Sequence, residues 1–242
     1  MKSSTPIYRL KHAARRKARG EGIPLHAALD RVAVAEGFKN WGHLSQGHAG
    51  ARTVGALYRE LSRGDLVIAA ARPGQGKTLL ALALAVEAMK AGNPALFFSL
   101  DYTRADVDDR FSALEVDPAP FGDRFVFDGS EMISADYIIA RMRDYAPGTL
   151  AVIDYLQLLD QRRRNPDLMS QIRNLRRFSR DRQVTFVCIS QIDRNYDPAR
   201  QRFPALSDIR LPNPVDLDLF DKACFLNGGE IRFEPISGST AG

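Results

Sequence analysis

The chain has 242 residues, 45% of them hydrophobic and 26% charged. That composition supports a real core and excludes wholesale disorder. No stretch approaches the roughly 18 apolar residues of a membrane span, and the richest run, Leu79 to Met89, is broken by Glu87. The net charge is +5 but unevenly placed: residues 1–50 hold nine Lys/Arg against three acids, while the other 192 hold 25 against 26.

The charged N-terminus lacks the apolar run of a secretory leader. Two cysteines, Cys188 and Cys224, both in apolar runs, make neither a disulfide framework nor a four-ligand zinc site. The four histidines all lie in the first fifth, without zinc-ligand spacing. A reducing, cytoplasmic setting with no membrane partner is expected.

Residues 1–50 read as a basic helical module. Its charge excess suits nucleic acid or another polyanion, with a solvated helix face as the plain alternative. A basic helix is expected over 6–19, stopped by Gly20 and Gly22, with Arg15, Arg16 and Lys17 as candidate nucleic-acid contacts. Pro24 opens a second helix to about Glu36, with Leu25, Ala28, Leu29, Val32 and Ala33 on one stripe. A third short helix is expected over 39–46. Trp41, the only tryptophan, is read as closing this small core, with base stacking as the alternative. Residues 47–53 read as a linker.

Residues 51–242 have a different pattern. Continuous apolar runs at 65–71, 95–100, 150–154 and 184–190 alternate with helical patterns at 79–91, 103–115, 134–145 and 167–181. A short strand is expected at 125–127 and closing strands at 223–227 and 230–236, turning at Gly228-Gly229. Such alternation predicts an α/β fold: a parallel sheet with helices on both faces. A second basic stretch, Arg162 to Arg182, carries eight arginines and two acids. The planar fork of arginine suits phosphate.

The first long strand runs into Ala71-Arg72-Pro73-Gly74-Gln75-Gly76-Lys77-Thr78 and then a helix. This is the Walker A pattern with alanine at the first glycine position. Glycines let backbone N–H groups turn inward around phosphate oxygens, and the helix N-terminus adds favourable partial charge. Lys77 would reach the β- and γ-phosphates of ATP, and the Thr78 hydroxyl would hold Mg²⁺. Asp154 ends the strand Ala151-Val152-Ile153-Asp154 and is the expected second Mg²⁺ ligand. Asp101, beyond the strand 97–100, is read as orienting or deprotonating the attacking water, with helix capping by Asp101 or Thr103 as the alternative. Gln191, ending another strand, is placed to sense the γ-phosphate. The loop after it, to Asp208, carries Arg194, Arg200 and Arg202 as candidate nucleic-acid contacts.

The order of these blocks resembles the RecA-type motor domain of the DnaB family of replicative helicases. The matching text is 64–78, Phe97-Phe98-Ser99-Leu100, Val152-Ile153-Asp154-Tyr155-Leu156-Gln157-Leu158, Ile189-Ser190-Gln191-Ile192-Asp193-Arg194 and Leu206-Ser207-Asp208-Ile209-Arg210. The resemblance implies a RecA-like P-loop ATPase that assembles in rings and threads single-stranded DNA through central loops. It departs in three places. The family has glutamate where this chain has Asp101, which predicts slowed hydrolysis. The family's terminal Lys-x-Arg segment, the source of an arginine finger, has no clear match, and Arg232 fits it poorly. Residues 1–50 do not look like the family's larger helical N-terminal domain. The expected function is an ATP-binding and ATP-hydrolysing protein acting on single-stranded DNA as a homo-oligomer. The alternative is a nucleotide-dependent switch, or an accessory subunit of a ring helicase, with weak or no hydrolysis.

Overall fold

The computed structural model describes residues 7–41, 53–160, 165–211, 213 and 215–236. The chain divides into two compact units, one of Met1–Arg52 with Asn227–Ile231, the other of Thr53–Leu226 with Arg232–Gly242.

In the smaller unit, helix α1 (Ile7–Glu21) and helix α2 (Leu25–Ala35) pack on each other. Contrary to the expected stop at Gly20, α1 continues through it to Glu21, whose carboxylate pairs with Lys17 one turn back at 3.0 Å and with Arg31 at 2.5 Å. The end of α2 follows from Gly37, at φ +84°. With glycine in that left-handed position, Gly37 N–H donates to Val34 O at 3.0 Å and Phe38 N–H to Ala33 O at 2.9 Å, a Schellman close. It turns Phe38 onto Leu10 and Ala33, where Val32 and Trp41 also pack. Leu25, expected on the buried stripe, is 41% exposed. Of the helix expected over 39–46, Trp41 is helical and residues 42–46 lie outside the described residues.

The sheet has eight strands: β1 (Leu66–Ala71), β2 (Ala95–Ser99), β3 (Phe125–Asp128), β4 (Leu150–Asp154), β5 (Thr185–Ile192), β6 (Ile209–Arg210), β7 (Lys222–Asn227) and β8 (Glu230–Pro235). All lie within the larger unit except for Asn227 of β7 and Glu230 and Ile231 of β8. The order is β3-β2-β4-β5-β1-β7-β8, with β6 beside β5. Pairings among β1, β2, β3, β4, β5 and β7 are parallel. The short β6 is the exception to the expected parallel sheet: it runs antiparallel to β5.

The central strands are buried on both faces, which is why they read as unbroken apolar runs. Every residue of β1, β2 and β4 is buried. Alternate residues (Ile68, Phe98, Ile153 and Cys188) share one core with Ile138 and Met142 of α6 (Ala135–Met142) and with Ile172 and Leu175 of α7 (Leu168–Arg182). Their neighbours along each strand point to the other face, which α4 (Lys77–Lys90) crosses, contacting β1, β2, β4 and β5. Helix α5 (Arg104–Ala113) follows β2. Its N-cap is Thr103, whose hydroxyl accepts from Asp106 N–H at 3.2 Å while Asp106 accepts from Thr103 N–H at 2.8 Å.

One helix is unexpected from the sequence, α3 (Val54–Glu60), capped by Thr53, whose hydroxyl accepts from Ala56 N–H at 3.2 Å. Thr53 therefore starts a helix rather than ending a linker. Among the described residues, no helix is long and apolar enough to cross a membrane.

Candidate functional site

Strands β1, β2, β4 and β5 run parallel, so their carboxyl ends open on one edge, where α/β folds hold ligands. β1 delivers Ala71 there and α4 begins at Lys77. In the loop between, Gly74 has φ +77° and Gly76, the N-cap of α4, has φ +89°. L side chains rarely adopt these angles, and they turn the chain back over the helix start. Arg72, Pro73 and Gly74 are exposed, and Gln75, Gly76, Lys77 and Thr78 half-buried. Lys77 Nζ donates to Ala71 O at 3.0 Å and Arg72 O at 3.2 Å, so the ammonium spans the loop mouth. Burial pushes its pKa below the ordinary lysine value, and the Asp154 carboxylate works against that.

The end of β4 places Asp154 opposite Ser99 of β2, and Thr78 Oγ1 donates to Asp154 Oδ2 at 2.8 Å. Asp154 is 4% exposed. Burial pushes its carboxyl up to about 6. The Thr78 hydrogen bond opposes this, the Asp101 charge adds to it, and Lys77 and Arg110 oppose it. Asp101 lies two residues beyond β2, exposed, with its backbone N–H on Ser99 Oγ at 3.1 Å. Burial raises its pKa. It caps no helix, since Thr103 holds that position. Gln191 on β5 is in register with Ala71 on one side and Arg210 of β6 on the other.

The edge thus gathers Lys77, Thr78, Asp101, Asp154 and Gln191. It also holds two residues that the sequence reading missed. Tyr102 OH lies 3.4 Å from Thr78 Oγ1, and the Arg110 guanidinium sits 4.7 Å over the Tyr102 ring. The available signal was adjacency, a phenol immediately after the acid and an arginine on the following helix.

The segment after Gln191 is folded on itself. Asp193 N–H donates to Asp208 O at 2.8 Å, and buried Tyr196 donates its hydroxyl to Gln201 O at 2.7 Å. Arg194, Arg200 and Arg202 lie exposed along it. Arg200 faces Asp197 at 3.7 Å, and Arg202 lies 5.7 Å over the Phe203 ring. Gln157, three residues past Asp154, donates to Arg210 O at 2.9 Å, so this segment's closing strand is tied to the β4 end. Arg15, Arg16 and Lys17 belong to the smaller unit, where Arg16 is exposed and Lys17 is paired with Glu21.

The arginine-rich stretch is partly structural. Arg176 and Arg180 face Asp221 at 3.3 and 3.5 Å, and Arg182 donates to Arg143 O. Arg173 and Arg177 are exposed, and Arg162, Arg163 and Arg164 lie outside the described residues. Arg232 is also engaged: it donates to Pro204 O at 2.6 Å, pairs with Glu234 at 3.2 Å and lies 5.0 Å over the Phe225 ring.

A family model described as the DnaB-like helicase C terminal domain matches residues 48–117 and 122–226. The chain belongs to the DnaB-like helicase C-terminal domain family. Relatives of this family include the replicative DNA helicase DnaB of Leifsonia xyli subsp. xyli, 26% identical over 196 residues, covering 67% of this chain and 42% of that protein. The Geobacillus stearothermophilus replicative helicase DnaB is 26% identical over 188 residues, 64% of this chain and 41% of that protein. The chain therefore spans about two fifths of the length of these relatives. A solved DnaB-like replicative helicase, described with its primase interactions, superposes with a TM-score of 0.53 at 17% identity, covering 89% of this chain and 64% of that one. That likeness supports the mixed α/β, RecA-like fold.

Proposed function

We propose that this chain is a P-loop ATPase of the DnaB-like helicase type that acts on single-stranded DNA. The observation carrying this reading is the Thr78–Asp154 pair, 2.8 Å apart at the mouth of a glycine-bent loop whose lysine spans it. Both oxygens are hard donors of the kind Mg²⁺ takes, one hydroxyl and one carboxylate, with substrate phosphates supplying the rest. A carboxylate whose pKa burial has raised to about 6 is one that a cation relieves. When bound, Mg²⁺ would neutralise charge between the β- and γ-phosphates.

The chain's own groups divide the remaining work. Backbone N–H groups of Gly74 through Thr78, at the loop and the α4 N-terminus, hold the phosphates, with Lys77 Nζ moving from the loop carbonyls to the β- and γ-oxygens. Asp101 orients the attacking water and accepts its proton at a carboxylate oxygen. Gln191, in register with Ala71 and Arg210, reads the γ-phosphate state and passes it to the segment bearing Arg194, Arg200 and Arg202. That segment, with Arg15, Arg16 and Lys17, contacts DNA phosphates. Membership of the DnaB-like helicase family extends the reading to a homo-oligomeric ring or association with a ring helicase.

Equilibrium binding of ATP, with and without Mg²⁺, tests the nucleotide site. Micromolar binding that needs Mg²⁺ and is weakened at least about tenfold in Lys77→Ala is expected. Equal binding by parent and variant would remove the phosphate loop from the reading.

A further inference from the structure

A second concave site lies at the opposite edge of the sheet, where the strands begin. It is a cavity of about 200 Å³ between the end of α3, the turn after α4 and the entries to β4 and β5. β1 runs six residues from this edge to the phosphate loop, about 17 Å at about 3.3 Å per residue, so the cavity is no part of the nucleotide site.

Local structure builds it. Gly92, at φ +85°, closes α4, with Asn93 N–H on Ala88 O at 2.9 Å. Asn93 then donates through Nδ2 to Tyr58 OH at 3.0 Å, leaving the phenol proton free to donate. Gly148, at φ +91°, forms the floor: a Cβ there would stand 2.8 Å from Asn93 Oδ1 and 3.4 Å from Arg63 Nε. Arg59 and Arg63 line the cavity, and neither has a hydrogen-bond or ion-pair partner among the described residues. No acid lines it. Outside the lining, the Glu87 carboxylate approaches Gly55 on the side where Arg59 Nη1 lies, and it is paired with Lys90 at 2.8 Å.

We infer that this cavity binds a small phosphate monoester of a hydroxylated carbon skeleton. Two guanidinium groups at a lining that holds no acid, with the nearby Glu87 already paired to Lys90, are the donor set that recognises a phosphate dianion. The Tyr58 hydroxyl adds a neutral donor, and Asn93 Oδ1, to which no described donor bonds, accepts from a ligand hydroxyl. The volume lies below the roughly 300–1,000 Å³ of sites for drug-sized ligands, which limits the occupant to a phosphate and a few further atoms. The inference is independent of the ATPase reading.

The test is a titration of glycerol 3-phosphate into the ¹⁵N-labelled full chain, followed by amide shifts. Gly148, Asn93 and Arg63 should move together on one saturable curve with a Kd below about 1 mM. The curve should persist in Lys77→Ala and weaken at least about tenfold in the double variant Arg59→Ala/Arg63→Ala. Both arginines are exposed and unbonded, so the double variant keeps the parent's dispersed spectrum. Movement confined to Gly74 and Gly76, an identical curve with sulfate, or parent-like binding by the double variant would each overturn the proposal.

Discussion

At Asp154, burial and charge oppose each other. The folded pKa of about 6 lies above the ordinary 3.8, so between those values the folded chain keeps a proton that the unfolded chain has released. This group's contribution to stability is therefore most favourable below about pH 4. It declines as pH rises through about 6, by about 3 kcal/mol in all for the metal-free chain. Asp154→Asn removes that cost and keeps an acceptor for Thr78. Urea midpoints measured from pH 4 to 7 should fall for the parent and stay flat for the variant, which ends up the more stable at pH 7. The same variant should lose Mg²⁺-dependent nucleotide binding, a site residue held at the expense of stability. Parallel midpoint curves would show that the buried carboxyl titrates normally.

At the level of elements, Asp221 ties α7 to the sheet. Its carboxylate accepts from Leu66 N–H at 2.8 Å and faces Arg176 at 3.3 Å, with side chains only 13% and 15% exposed. Asp221→Ala takes the counter-charge from the half-buried Arg176, which keeps Leu219 O as an acceptor, and removes the acceptor of the Leu66 N–H, and should cost about 3 kcal/mol in urea unfolding. A cost within about 0.5 kcal/mol would mark the pair as an ordinary surface contact. This pairing also marks where the sequence stops being legible. Eight arginines are visible as charge, but the acid that Arg176 and Arg180 face lies beyond β5 and only the fold brings it back. The strands β1, β2 and β4 were readable because burial on both faces requires unbroken apolar runs. The bend between β1 and α4 was readable because the glycines that make it, Gly74 and Gly76, are contiguous with the strand and the helix they join. Helix α3 is two turns long and carries a glycine, too short to show a period. β6 is two residues long and exists through its register with β5 alone. The reach of Tyr102 to Thr78 depends on α4 crossing against β2, which no local pattern encodes.

For the whole molecule, charge and fold are divided differently along the chain. The positive excess lies in residues 1–50, while the phosphate loop, Asp154 and Gln191 all lie in the unit that starts at Thr53. A chain beginning at Thr53 should therefore keep ATP affinity within about twofold while its single-stranded DNA affinity falls. The slope of log affinity against log salt should shallow as phosphate contacts are lost. An unchanged salt slope would place all DNA contacts in the larger unit. The central claim is tested most directly by steady-state ATP turnover with Mg²⁺, with and without single-stranded DNA, in the parent, Lys77→Ala and Asp101→Glu. The account predicts turnover that DNA stimulates, that Lys77→Ala abolishes and that Asp101→Glu raises by bringing the carboxylate closer to the water. Tight ATP binding with negligible turnover in both the parent and Asp101→Glu would contradict it and leave a nucleotide-gated binding protein.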